Sequence, residues 1–361
     1  MKITHTEATL HEVPVDVPRL DDPIRSQYVF VEVETDAGIT GHGLTGYLYQ
    51  AGTKAFVNEE IAPLVEGENP VETERIWTLV HEELNPRDQT GPWSTALSAV
   101  DIALWDIKGK RFDEPVWRLL GGAQNPVESY VTFGLSEFSE DELVDVAEQF
   151  VSQGETRLKM VVGRPPDPIR DASRVGAVRE AVGDDVELMI DANYQYSFNQ
   201  ALELCNRIEK YDLTWFEEPV YGNDVDLLAD LRQRTRIPIA AGQNEGHRFR
   251  HRALMENGAV DISQPNVCFV GGYTEGKKVA SIAQGFNLDI ANGGAYPYQN
   301  MHLQAAMSNG WRVEFHYVVW KASEELYRDP PTPDGNRVTL PEEPGLGLEP
   351  DHDALEAYRI A

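Results

Sequence analysis

The sequence predicts an α/β protein: a (β/α)8 (TIM-like) barrel with an N-terminal α+β capping domain completed by the C-terminal tail. Three observations carry that prediction. From about residue 127 the chain alternates strand-like and helical runs at a steady spacing. The first 120 residues instead place strands before helices, the order of a separate α+β unit. No Gly-x-Gly-x-x-Gly follows the first strand of the alternating part, which argues against an open doubly wound sheet.

The elements follow in order. Residues 2–10 and 28–46 alternate apolar and polar positions as strands do, with Asp36-Ala37-Gly38 as a hairpin turn. Between them, Asp16 to Ser26 reads as a loop, with two prolines and five Asp or Arg charges. Residues 50–65, 70–84 and 94–111 carry helical periodicity. The alternating part yields strands at 128–133, 156–161, 187–191, 213–217, 237–241, 260–263, 287–290 and 312–315. Helices are expected at 140–152, 168–181, 198–209, 224–234, 249–257, 274–284 and 300–308. Eight strands with intervening helices in about 190 residues fit a closed parallel barrel. The domains are therefore expected at 1–123, 124–320 and 321–361, the last folding back on the capping domain.

Composition narrows the function. The 361 residues carry a formal net charge of −29, with 60 Asp and Glu against 31 Lys and Arg. The acids are dispersed, so the field repels nucleic acid and anionic lipid. Such self-repulsion destabilises the compact state unless salt screens it. We therefore expect a halophilic protein. No stretch reaches the roughly 18 apolar residues of a membrane span. Neither a signal peptide nor a disulfide framework is evident, with only Cys205 and Cys268, so a reducing, cytoplasmic setting is expected.

Barrel enzymes place their chemistry at the C-terminal strand ends. Here the third strand ends in Asp191-Ala192-Asn193, the fourth in Trp215-Phe216-Glu217-Glu218-Pro219, and the fifth in Ala240-Ala241-Gly242-Gln243-Asn244-Glu245. Any one of these oxygens has an ordinary alternative as a helix N-cap. Three in register on adjacent strands point to one cation site. Oxygen ligands suit Mg2+, or Mn2+, and not zinc. Asp191, Glu217 and Gln243 are the expected ligands, with Glu245 an open alternative for the third. In the second strand, alternation places Lys159 at the barrel mouth.

These motifs, together with Leu119-Leu120-Gly121-Gly122, Val270-Gly271-Gly272-Tyr273-Thr274-Glu275 and Glu314, resemble the mandelate racemase and muconate lactonizing branch of the enolase superfamily. The resemblance covers nearly the whole chain. It implies that the metal binds a substrate carboxylate and stabilises the enediolate formed when a base removes the α-proton. Lys159 keeps the first lysine of the family's Lys-x-Lys, with Val161 at the second, and is the expected base. Glu314 matches the strand-eight carboxylic donor.

Departures from the pattern shape the expected reaction. Gln243 replaces the usual third Glu ligand. Asn266 and Asn292 stand where relatives carry an Asp–His dyad, so a two-base racemase is not expected. Both asparagines are read instead as substrate-hydroxyl ligands, alongside Asn193 and Tyr296. His247, in the cationic run Glu245 to Arg252, is the candidate general acid. By resemblance, the Asp16–Ser26 and Gly46–Gly52 loops cover the substrate, which makes Arg19, Arg25, Tyr47 and Tyr49 candidate specificity residues.

The expected function is a Mg2+-dependent dehydratase of an aldonate or aldarate, giving a 2-keto-3-deoxy acid. A cycloisomerase acting on a cyclic or anhydro-sugar acid is the runner-up, and a non-catalytic metal or sugar-acid binder stays open. The partner is a small carboxylate, with no nucleic acid and no membrane. A homo-oligomer is implied by the resemblance alone.

Overall fold

The computed structural model describes residues 1–46 and 48–361. Tyr47 lies outside the described residues, so its expected specificity role is not addressed further. No described helix is long and apolar enough to cross a membrane.

The N-terminal unit opens with an antiparallel sheet of β1 (Ile3–Val15), β2 (Ile24–Thr35) and β3 (Thr40–Gly46), in that order. Its inner face packs on a buried helix, Pro92–Phe112, that begins with proline at the tolerated first position. That helix is apolar nearly all round because it is sandwiched. The sheet covers one side, and the helices Gln50–Phe56 and Thr73–Leu84 cover another.

Eight parallel strands form the barrel: β4 (Val127–Phe133), β5 (Arg157–Val161), β6 (Glu187–Asp191), β7 (Phe216–Glu217), β8 (Ile239–Ala241), β9 (Ile262–Ser263), β10 (Asp289–Ala291) and β11 (Gly310–His316). They pair in chain order, and β11 returns to β4, with Glu314 opposite Tyr130 and His316 opposite Thr132. Closure therefore leaves no free edge among the eight. The expected strands are all present, β5 and β7 to β10 shorter than anticipated. Helices between them run Glu140–Ser152, Pro168–Val182, Phe198–Ile208, Val225–Arg234, His247–Glu256, Gly272–Gly285 and Pro297–Ala306. Sharp starts have local causes. Ser139 and Glu142 form a reciprocal capping box, and the Asp167 and Asp224 side chains accept backbone N–H bonds.

Strand alternation sets what the lumen contains. Tyr130, Met189, Trp215, Ala240, Ile262 and Ala291 form a separate buried cluster that plugs the barrel interior. Two residues further on, on the same face, come Thr132, Asp191, Glu217, Gly242, Gln264 and Gly293. The apolar plug is thus the floor, and a polar layer sits one step above it toward the C-terminal mouth.

The capping domain is fastened over that mouth by buried bonds. Asp101 accepts from the Thr274 N–H at 2.9 Å and from its hydroxyl at 2.6 Å. Ser98 Oγ accepts from Gly271 and Gly272 N–H, while the Trp77 indole donates to Gly271 O. Gly272 sits at φ +78, and a Cβ there would lie 2.2 Å from Asp101 Oδ2, so only glycine fits. The terminal helix His352–Tyr358 returns to β1, where Leu10 and Ile360 pair and His11 bonds Leu355 O. Arg337–Val338 instead adds antiparallel to β4, at the barrel's closed end.

Candidate active site

Lys159 is the centre of the polar layer. Its ammonium, wholly buried, lies 2.7 Å from Glu217 Oε2, 2.8 Å from Glu314 Oε1 and 3.3 Å from Asp191 Oδ2. Parallel register aligns these groups: Val161 pairs with Asp191, and Asp191 with Glu217. Burial alone would push the ammonium toward neutrality. The surrounding carboxylates outweigh it and hold Lys159 well above the usual lysine range. Glu217 goes the other way. Burial pushes its carboxyl well above the usual range despite the attraction of Lys159.

Each carboxylate has a different set of partners. Glu314 Oε2 accepts from Ala295 N–H at 2.6 Å, and Oε1 also accepts from the Thr132 hydroxyl. Burial disfavours its charge, yet Lys159 and these donors hold it below the usual carboxylate range. Asp191 Oδ1 accepts from Asn193 N–H at 2.7 Å. Glu217 Oε2 takes Lys159, Gln264 Nε2 at 2.8 Å and the Trp215 indole at 3.2 Å, while its Oε1 is buried without a hydrogen-bond partner. Gly293 leaves room for that oxygen, since a Cβ there would sit 2.9 Å from it.

Gln243 completes the arrangement. Its amide nitrogen donates to Glu218 Oε2 at 2.6 Å, which turns the amide oxygen away from Glu218. Burial raises the Glu218 carboxyl to about 7. Asp191, Gln243 and Glu314 all line one cavity of about 90 Å3, together with Asn193, Tyr296 and His316.

A divalent cation fits this donor set. One ammonium is shared by three carboxyl groups in a buried layer, and burial together with the charges of Asp191 and Glu314 holds Glu217 toward its neutral form, so the layer is short of positive charge. Glu217 Oε1 is an orphaned buried oxygen, and Asp191 and Gln243 present oxygen on the flanking strands. Among the described residues no group of three His, Cys, Asp or Glu is arranged as a metal cluster by itself. Glu245, the alternative ligand, is engaged elsewhere in a 2.9 Å ion pair with Arg250.

The structure places several of the expected site residues away from the cavity. Lys159 is ion-paired to all three carboxylates, wholly buried and not on the cavity wall. His247, at φ +49, turns its ring to Asp88 O of the capping domain and does not line the cavity. The rest of its cationic run pairs with acids: Arg248 with Glu275, Arg252 with Glu256.

Asn266 and Asn292 spend their amides on the backbone and do not line the cavity. Asn266 Nδ2 donates to Gly293 O at 2.8 Å and Gly294 O at 3.0 Å, and Asn292 Nδ2 donates to Gly293 O and Ala295 O. Their side-chain oxygens accept from Cys268 N–H and Glu314 N–H. These bonds hold Ala295 and Tyr296 left-handed, at φ +65 and +59, which aims Ala295 N–H at Glu314. Arg19 and Arg25 are surface ion pairs with Asp145 and Glu12, their side chains more than half exposed. Their loop reaches the mouth through Leu20 and Ile24 instead. Tyr49 lines an outer cleft of about 250 Å3 between the capping domain and the barrel.

Known proteins share this architecture. Residues 2–121 match the model of the mandelate racemase / muconate lactonizing enzyme N-terminal domain. Residues 142–354 match the enolase C-terminal domain-like model. The D-galactarolactone cycloisomerase of Agrobacterium fabrum is 34% identical, covering 100% of this chain and 99% of its own. The arabinonate dehydratase of Saccharolobus solfataricus is 30% identical over 92% of this chain and 91% of its own. The crystal structure of L-talarate dehydratase from Polaromonas sp. JS666, complexed with Mg and L-glucarate, superposes with a TM-score of 0.89 at 30% identity. That match covers 99% of this chain and 97% of that one.

Proposed function

Because the chain belongs to the mandelate racemase / muconate lactonizing enzyme family of the enolase superfamily, we propose that it is a magnesium-dependent enzyme eliminating a β-oxygen from a sugar acid. The leading form is a dehydratase that turns an aldonate or aldarate into a 2-keto-3-deoxy acid. One observation carries the reading: a single ammonium, Lys159, stands among the three buried carboxyl groups of Asp191, Glu217 and Glu314, with the Gln243 amide on the same cavity as Asp191 and Glu314. A divalent cation held by these three would draw a substrate carboxylate into the cavity and lower the cost of the enediolate charge.

The chain's own residues supply the rest. Lys159 keeps the carboxylates in place as a permanent counter-ion. Glu314, ionised at rest, faces the cavity with the Lys159 ammonium 2.8 Å behind it, so a proton for the developing oxyanion is at hand. Asn193 and Tyr296 line the wall where sugar hydroxyls would lie. Val161, also on that wall, carries no base.

A second reading is supported by the full-length likeness to a cycloisomerase. There the leaving oxygen belongs to a ring, and the first step is the same α-proton removal. One screen tests both. D-xylonate, D-arabinonate, D-gluconate, galactarate and D-galactaro-1,4-lactone are incubated in high KCl, with Mg2+ or with EDTA. The expected result is Mg2+-dependent 2-keto acid from an open-chain acid. Product from the lactone alone supports ring opening, and no turnover of any compound overturns the proposal.

A further inference from the structure

The cavity wall holds one imidazole that none of the roles above uses. His316 ends β11, two residues beyond Glu314 and so on the same face of the strand. It lines the 90 Å3 cavity and also the open cleft at the mouth beside Leu20 and Ile24. Behind it lies a small apolar pocket formed with Val17, Phe133 and Phe150. Nδ1 is buried and has no hydrogen-bond partner in the surrounding residues. Among the described residues neither ring nitrogen is seen to bond another residue; the one backbone group acting on the ring is its own. We take Nε2, which is not among the buried unpaired atoms, as the nitrogen that meets the cavity.

An unpaired, half-buried imidazole in a reaction cavity is unusual, because polar groups in such places normally find partners. The groups facing it are Glu314 on its own strand, Lys159 and Asp191 from β5 and β6, Tyr296, and at the mouth Arg164 and Glu137. Burial holds the ring below the usual histidine range, with Glu314 and Asp191 opposing, so the neutral, basic form prevails near pH 7.

We propose that His316 is the proton-transfer residue of this site, standing in for the base that Val161, Asn266 and Asn292 do not provide. This rests on the sugar-acid reading above. The C2–H bond breaks and its proton passes to Nε2, leaving the electron pair in the enediolate. The C3–O bond then breaks as those electrons form the C2–C3 double bond. The departing oxygen takes the proton back from Nε2, leaving as water, or as a hydroxyl if it belonged to a ring. The resulting enol takes up a proton at C3 and its hydroxyl releases one, giving the 2-keto-3-deoxy acid with no oxidant or reductant needed.

The test compares wild type with H316N and H316Q on whichever panel compound turns over. Measured are kcat, KM, incorporation of solvent deuterium at C2, and the Mg2+ Kd by calorimetry. General acid–base catalysis contributes roughly 10²- to 10⁴-fold. Both variants are expected to lose kcat by that factor, and C2 exchange with it. Their Mg2+ Kd should stay within about twofold, and the acid limb of the wild-type kcat/KM profile should vanish from the residual activity. A variant keeping more than a tenth of wild-type kcat overturns the assignment and leaves the elimination reading intact. So does a collapse of Mg2+ binding in both variants, which would make the role structural. A wild type that turns over nothing overturns the parent reading and this assignment together.

Discussion

Lys159 Nζ and Glu217 Oε2 meet at 2.7 Å with no solvent exposure on either side chain. Removing one partner of such a pair leaves the other charge buried and unmatched, at a cost of about 3–5 kcal/mol. Lys159→Met should therefore melt well below wild type in EDTA. Mg2+ should recover more of the lost stability in the variant than it adds to wild type, since a ligand bound only by the folded state stabilises it in proportion to ln(1 + [L]/Kd). Thermal melts with and without 10 mM Mg2+ read this directly, and equal Mg2+ responses would count against a shared charge deficit.

Gln243 joins the cation site to Glu218 through its 2.6 Å amide bond. In Gln243→Glu that donor is lost and two carboxyls face one another, so the metal-free protein should be less stable. With one more negative charge, Mg2+ affinity at pH 8 should rise by about tenfold, or roughly 1.4 kcal/mol. Calorimetry of the two proteins decides; unchanged affinity would mean that residue 243 does not touch the ion.

His302 is buried beside Tyr273, and both ring nitrogens lack partners. Burial lowers it to about 4, against 6.5 for an exposed histidine. The folded state thus disfavours its proton. Its contribution is fully present above pH 6.5 and is lost as pH falls toward 4. Each tenfold loss of proton affinity is worth about 1.4 kcal/mol, which gives roughly 3 kcal/mol in all. Burial does the same to His251, also at about 4. Asp101 and Glu218, raised by burial to about 7, work in the opposite sense and mask the slope in wild type. His302→Leu isolates it: urea melts should show the variant gaining roughly 3 kcal/mol on wild type between pH 7 and pH 4. A constant difference would contradict a neutral buried ring.

The net charge of −29 should make stability salt-dependent. Most ion pairs, such as Arg19–Asp145 and Arg207–Glu203, lie on the surface and add little individually. Screening of the excess acids dominates, so the melting temperature should climb between 0.1 and 2 M KCl. A protein most stable at low salt would refute the halophilic expectation.

Much of this site is legible in the sequence because strand alternation converts spacing into direction. Asp191 and Glu217 fall on the inward face once Met189 and Trp215 are taken as the lumen floor. Gln243 follows a short strand and is found by its spacing of 26 residues from Glu217. The same alternation, carried two residues past Glu314, would have found His316. What spacing does not encode is which neighbour a side chain bonds. Asn266 and Asn292 lie at functional positions of the fold yet spend their donors on Gly293, Gly294 and Ala295 carbonyls. His247 follows Gln243 closely in the chain, but a left-handed backbone rotates it toward Asp88. Arg19 and Arg25 sit in the right loop, where acids brought close by the fold capture them. Alternation points Lys159 into the barrel, but the three carboxylates that occupy its ammonium come from three distant segments, so its task is hidden from any local reading.

A crystal structure with Mg2+ and galactarate tests the central claim most directly. One ion is expected about 2.1 Å from oxygens of Asp191, Glu217 and Gln243, with a carboxylate oxygen of the sugar acid among its remaining ligands. An ion bound elsewhere, or none at millimolar Mg2+ with Lys159 still filling the space between Asp191 and Glu217, would contradict it.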